Sequence, residues 1–113
     1  MAIEINGKTL ETDEKGHLVD LEDWDEDVAR VLAEQEGIEL TEKHWDVINY
    51  LREEYLENNE HQPNLRNMVK DLKEVWPGEK VDSKTLYDLF PKAPDKQGSK
   101  IGGLPKLNRK DGY

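Results

Sequence analysis

Nucleophilic chemistry has few residues to draw on in this chain. Cysteine is absent, which removes thiolate nucleophiles, disulfides and sulfur-ligated metals together. The only serines are Ser83 and Ser99. A serine nucleophile needs an adjacent histidine that is itself oriented by a carboxylate. Neither serine has the strand-turn-helix context of a nucleophile elbow, and Ser83 reads as the cap of a helix. His17, His44 and His61 provide no pair on one helix face, so a metal site of the His-Glu-x-x-His type is excluded. His44, beside Trp45 in the first turn of a helix, reads as a partly buried ring bonded to a backbone group or a carboxylate. With 26 Asp and Glu in 113 residues, carboxylate pairs arise by chance and do not mark acid–base chemistry. Neither a cofactor nor a metal is expected.

The elements that position these residues are mostly helical. Ile3-Glu4-Ile5 and Lys8 to Thr12 flank Asn6-Gly7, a dipeptide suited to a type I′ hairpin turn. His17-Leu18-Val19 adds a short extended piece. A first helix is predicted from about Asp25, with Trp24, Val28, Val31 and Leu32 at helical spacing and Gly37 as its stop. Thr41 caps a longer second helix, whose inner stripe is Trp45, Ile48, Leu51, Arg52 and Tyr55. An arginine in that stripe should lay its stem on apolar surface and its head on a carboxylate or carbonyl. Pro63 and Asn64 open a third helix with Leu65, Met68, Val69, Leu72 and Val75 inward. A fourth starts near Asp82, presents Leu86, Leu89 and Phe90, and closes at Pro91. Beyond Phe90 apolar periodicity stops while Pro and Gly accumulate, so residues 92–113 read as an irregular arm on a body of residues 1–91 in a single domain. Deleting everything after Phe90 should then leave the helical fold intact.

Charge is divided unevenly. Residues 1–62 hold 19 acids and 5 bases, a net of −14, while residues 63–113 hold 7 acids and 11 bases, a net of +4. An acidic body with a basic arm suits docking on acidic protein surfaces, or a salt-sensitive contact of the arm with the body itself. It is poorly suited to nucleic acid. Two successive helices around Asn58–Pro63 have the outline of a helix-turn-helix, but Arg66, Lys70 and Lys73 are offset by Asp71 and Glu74. No membrane span or signal segment is present in the sequence, and a soluble cytoplasmic protein is expected.

From Leu89 the chain runs Leu89-Phe90-Pro91-Lys92-Ala93-Pro94, then Gln97-Gly98-Ser99-Lys100-Ile101 and Gly102-Gly103-Leu104-Pro105-Lys106. This ending closely resembles the C-terminal arm of the DsrC/TusE family, the gamma subunit of dissimilatory sulfite reductase and the sulfur-relay protein of tRNA thiolation. The resemblance extends through Gly7, Trp24, Val28-Ala29, Glu36-Gly37-Ile38, Leu40-Thr41, His44-Trp45, Arg52, Tyr55, Pro63, Arg66 and Leu86-Tyr87. It implies a mainly α fold, a small helical bundle with an N-terminal β-hairpin and an irregular C-terminal arm.

In that family a near-terminal cysteine carries sulfur as a persulfide, and some members add an earlier cysteine. Matching Gly103-Leu104-Pro105-Lys106 to the family pattern puts Lys110 at the first position and Ser99 at the second. Neither an ammonium nor a hydroxyl forms a persulfide, and the usual next proline is Leu107. The resemblance with its two replacements implies a chain that is not an enzyme. It would be a non-catalytic protein of sulfur metabolism that regulates or competes with its thiol-bearing relatives through protein–protein binding. One alternative is an accessory subunit of sulfur relay, for tRNA 2-thiolation or sulfite reductase. Another is a DNA-binding transcriptional regulator. The implied partner is a sulfurtransferase complex or a sulfite reductase-type protein. It would be met by Lys100 and Lys106 as basic groups and by Ile101 and Leu104 as apolar anchors.

Overall fold

Asn6 and Gly7 both adopt positive φ, 53° and 79°, the pair that turns a hairpin with the right strand twist. The computed structural model describes residues 2–14, 16–58 and 60–104. Strands β1 (Ala2–Ile5) and β2 (Lys8–Glu11) pair antiparallel with Ile3 opposite Leu10. A single bridge between Thr12 and Leu18 supplies the short extended piece, and a 3-10 turn at Leu21–Asp23 leads into the helices.

Helix α1 (Glu26–Gln35) starts at Asp25, whose carboxylate accepts from the Val28 N–H at 2.9 Å. It stops at Gly37, φ 74°. Helix α2 (Glu42–Glu57) begins after Thr41, and α3 (Leu65–Val75) begins after Asn64, whose side chain accepts from the Asn67 N–H. Helix α4 (Ser83–Leu89) is capped by Asp82, so Ser83 is its first residue and not its cap. The carboxylate of Asp82 accepts from the Thr85 N–H at 3.0 Å, a stronger cap acceptor than a hydroxyl. The core gathers Val28, Ala29 and Leu32 from α1, Val47, Ile48 and Leu51 from α2, Met68 and Leu72 from α3, and Leu86 with Phe90 from the α4 end. Val75 is 45% exposed, against expectation, and Trp76 is buried instead. The larger ring covers more apolar surface, and its Nε1 donates to Asp46 Oδ2 at 2.8 Å.

The largest difference lies beyond Phe90. Pro94–Ile101 form a fifth helix, α5, which packs against α1, α2, α3 and α4. The boundary at residue 92 therefore divides no structural unit within the described residues. Hydrophobic periodicity misses this helix because small residues bury it. A Cβ on Gly98 would lie 2.6 Å from Leu51 Cδ1, so the backbone itself is seated against α2. The mainly α bundle with an N-terminal hairpin stands, and its centre is the segment that reads as an arm. Among the described residues no helix is long and apolar enough to cross a membrane.

Candidate functional site

Helix α5 ends in a complete Schellman motif. Leu104 N–H donates to Ser99 O at 2.9 Å and Gly103 N–H to Lys100 O at 3.1 Å, with Gly103 at φ 74°. Three side chains from distant parts of the chain satisfy the carbonyls around this end. Trp24 Nε1 donates to Ile101 O at 2.8 Å, Arg52 Nη1 donates to Gly102 O at 2.6 Å, and His17 Nδ1 lies 3.3 Å from Leu104 O. A carbonyl only accepts, so His17 carries its proton on Nδ1 in this contact. The Arg52 guanidinium also stacks over the Trp24 ring, 3.9 Å from its centroid. Burial pulls the Arg52 pKa below its ordinary value, yet a cation at a helix C-terminus meets the negative end of the helix dipole. Gly103 closes the clamp, since a Cβ there would fall 2.4 Å from Trp24 Cδ1.

A second set holds the other flank of α5. Glu36, at the end of α1, accepts from Gln97 Nε2 at 3.0 Å and from Lys100 Nζ at 2.8 Å. Burial pushes the Glu36 carboxyl up, but the Gln97 and Lys100 hydrogen bonds outweigh it and the net pKa lies below the usual value. Gln97 Oε1 in turn accepts from the Lys92 N–H at 2.9 Å. Gly16, at φ 90°, leaves room for the Lys100 stem. The arrangement fixes the end of a central helix as far as Leu104. It contains no thiol, since the chain has no cysteine.

A family model described as DsrC like protein matches residues 4–109. The chain belongs to the DsrC-like family. Sulfurtransferase TusE of Pectobacterium atrosepticum is 49% identical over 104 residues, spanning 92% of this chain and 94% of that protein. The NMR structure of Allochromatium vinosum DsrC superposes with a TM-score of 0.88 at 46% identity, over 97% of this chain and 99% of that one. The oxidized gamma-subunit of the dissimilatory sulfite reductase from Archaeoglobus fulgidus gives 0.85 at 38% identity, with the same coverage.

The relatives correct one expectation. The reading of this DsrC-like chain as no enzyme, drawn from Ser99 and Lys110, gives way before relatives named for sulfur transfer at 47–49% identity.

The DsrC-like fold also relocates most of the residues marked as partner contacts. Ile101 and Leu104 are 0% and 1% exposed; they anchor α5 inside the bundle and do not form an outer surface as the chain stands. Lys100 is paired with Glu36. Lys106 and Lys110 lie outside the described residues. Ser99 is fully buried in α5, and its Oγ has no hydrogen-bond partner among the described residues. Trp24, Arg52, His17 and Glu36 build the clamp. Arg52 was legible as an arginine seeking a carboxylate or a carbonyl, but which group it finds was not. Pro94 at the first position, Gly103 just past the end and Pro105 beyond spell a helix start and stop, and that signal could have found α5.

His44 meets its expectation. Nδ1 accepts from the Thr41 N–H at 3.0 Å, and Nε2 lies 2.8 Å from Leu89 O, which ties α2 to the end of α4. The α2–α3 pair that has a helix-turn-helix outline is lined by Asp46, Glu53, Glu54, Asp71 and Glu74 around Tyr50. Burial and the Asp71 carboxylate push the Tyr50 hydroxyl well above its ordinary pKa, so it stays a donor to Asp71 at 2.5 Å. This face is acidic, the opposite of what a phosphate backbone requires.

Proposed function

We propose that this chain serves as an accessory subunit of sulfur relay, of the kind used in tRNA 2-thiolation or by sulfite reductase. The observation that carries the reading is the clamp at the start of the Gly103-Leu104-Pro105-Lys106 motif: Trp24 and Arg52 on the two carbonyls that precede it, and His17 on the carbonyl of Leu104 within it. Such a clamp is useful where the following segment must be delivered to a fixed place, because a defined exit reduces the entropy lost on docking. The chain has no cysteine, and sulfane sulfur is taken up by a thiolate. The thiolate in the relay therefore belongs to a partner, and this chain supplies shape and orientation. Contact through the basic groups of Lys100 and Lys106 fits that role.

The test is reconstitution with a purified sulfurtransferase complex and, separately, a sulfite reductase. A stable complex with either, and faster or more complete sulfur transfer when this chain is added, is the expected result. Failure to bind either assembly would overturn the relay reading. The replacements at Ser99 and Lys110 favour a second reading, a regulator that competes with thiol-bearing relatives for the same seat. In the same mixture it requires displacement of such a relative and slower transfer.

A further inference from the structure

We propose that the concave basic face formed by Lys92, Lys96 and Lys100 beside His17 is a docking site for a carboxylate-rich segment of a partner protein. The face is a hollow of about 280 Å³ that also includes Glu36 and Gln97. It lies on a protein of net charge −10 whose first 62 residues carry −14, so it inverts the sign of most of the surface. Lys92 and Lys96 are exposed on its rim, whereas Lys100 is held inward by Glu36 at 2.8 Å. A small anion entering the floor would meet the Glu36 carboxylate. An extended acidic segment pairs with the rim ammonium groups without reaching that floor. A nucleic-acid strand would bring phosphates against the acidic body, which disfavours it.

The position of the hollow matters as much as its charge. His17 lines it and also holds Leu104 O, while the Lys100 stem runs against Gly16. A partner seated on this face is thereby placed beside the clamped end of α5. The proposal deepens the sulfur-relay reading and rests on it for what the seated partner does, though not for binding itself.

The experiment is a titration of the isotope-labelled full chain with a short poly-glutamate peptide and, in parallel, an RNA oligonucleotide of equal charge, followed by NMR. Peptide-induced shifts should concentrate at the amides of residues 92, 93 and 95–97 and at His17. Lys92→Glu/Lys96→Glu should weaken peptide binding about tenfold at low salt. Lys70→Glu/Lys73→Glu, the same charge change on exposed positions of α3, should leave it within twofold, a margin of about 0.4 kcal/mol. Equal weakening by both pairs, shifts centred elsewhere, or tighter binding of the RNA would overturn the proposal. Loss of peptide binding in a chain that still joins the reconstituted relay sinks the docking face alone. Peptide binding by a chain that joins no relay assembly supports the face and sinks the relay reading.

Discussion

Ser99 shows how one position changes meaning between sequence and structure. In the sequence it is a hydroxyl at a place where family members carry a thiol. In the fold it is a fully buried hydroxyl without a hydrogen-bond partner among the described residues. An unpartnered buried hydroxyl carries a desolvation penalty of about 1–3 kcal/mol, and Ala is the better helix former. Ser99→Ala should therefore be neutral or stabilising by up to about 1 kcal/mol in urea denaturation. A clear loss of stability would show that the hydroxyl has a partner after all. Gly103 is the opposite case. Its φ of 74° and the 2.4 Å approach of a Cβ to Trp24 leave no room for a side chain. Gly103→Ala should cost about 2–4 kcal/mol, and a cost below that range in the same assay would mean that Trp24 yields easily.

The start of α2 illustrates a coupling between elements. His44 accepts at Nδ1 from the Thr41 N–H and reaches Leu89 O through Nε2, so the neutral Nε2–H tautomer satisfies both contacts. Protonation would place an Nδ1–H against the Thr41 N–H. Burial lowers the pKa and the Leu89 carbonyl partly offsets it, leaving His44 below its ordinary 6.5. The folded state then binds fewer protons than the unfolded chain near and below pH 6.5. This contribution to stability is complete above that pH and is lost as pH falls through the folded-state value. His44→Gln keeps a side-chain acceptor for the Thr41 N–H, as in an ordinary capping box, but does not titrate. Its stability should vary less between neutral and mildly acidic pH than that of the parent, measured by thermal melts across the range. An identical pH profile would show that His44 does not report on folding.

For the molecule as a whole, the decisive element is α5. Each of Ile101 and Leu104, fully buried, contributes about 1.5–3 kcal/mol, and removing α5 would also uncover the core residues packed on it, including Leu51 and Phe90. A domain of this size has only about 5–15 kcal/mol of net stability. A chain ending at Phe90 should therefore lose its cooperative thermal transition by circular dichroism. A sharp transition near that of the parent would restore the view that the fold ends at Phe90.

The sequence alone determined the local starts and stops and the family. Asn6-Gly7 sets a turn, Asp25, Thr41, Asn64 and Asp82 are placed to open helices, and Gly37 closes one, because these preferences depend on a few neighbouring atoms. The inner stripes of α1 and α2 followed from spacing in the same way. Only the tertiary structure decided that α5 is central. Pro94, Gly98 and Ser99 are buried there, with the Gly98 backbone seated against Leu51 and Val47 of α2 and Phe90 just past α4, and small residues leave no apolar period to read. It also decided that Arg52 and Trp24 meet at the end of α5, residues 50 and 77 positions away from their carbonyl partners. A side chain declares its need for an acceptor in the sequence, but which acceptor it finds depends on how every other element has packed.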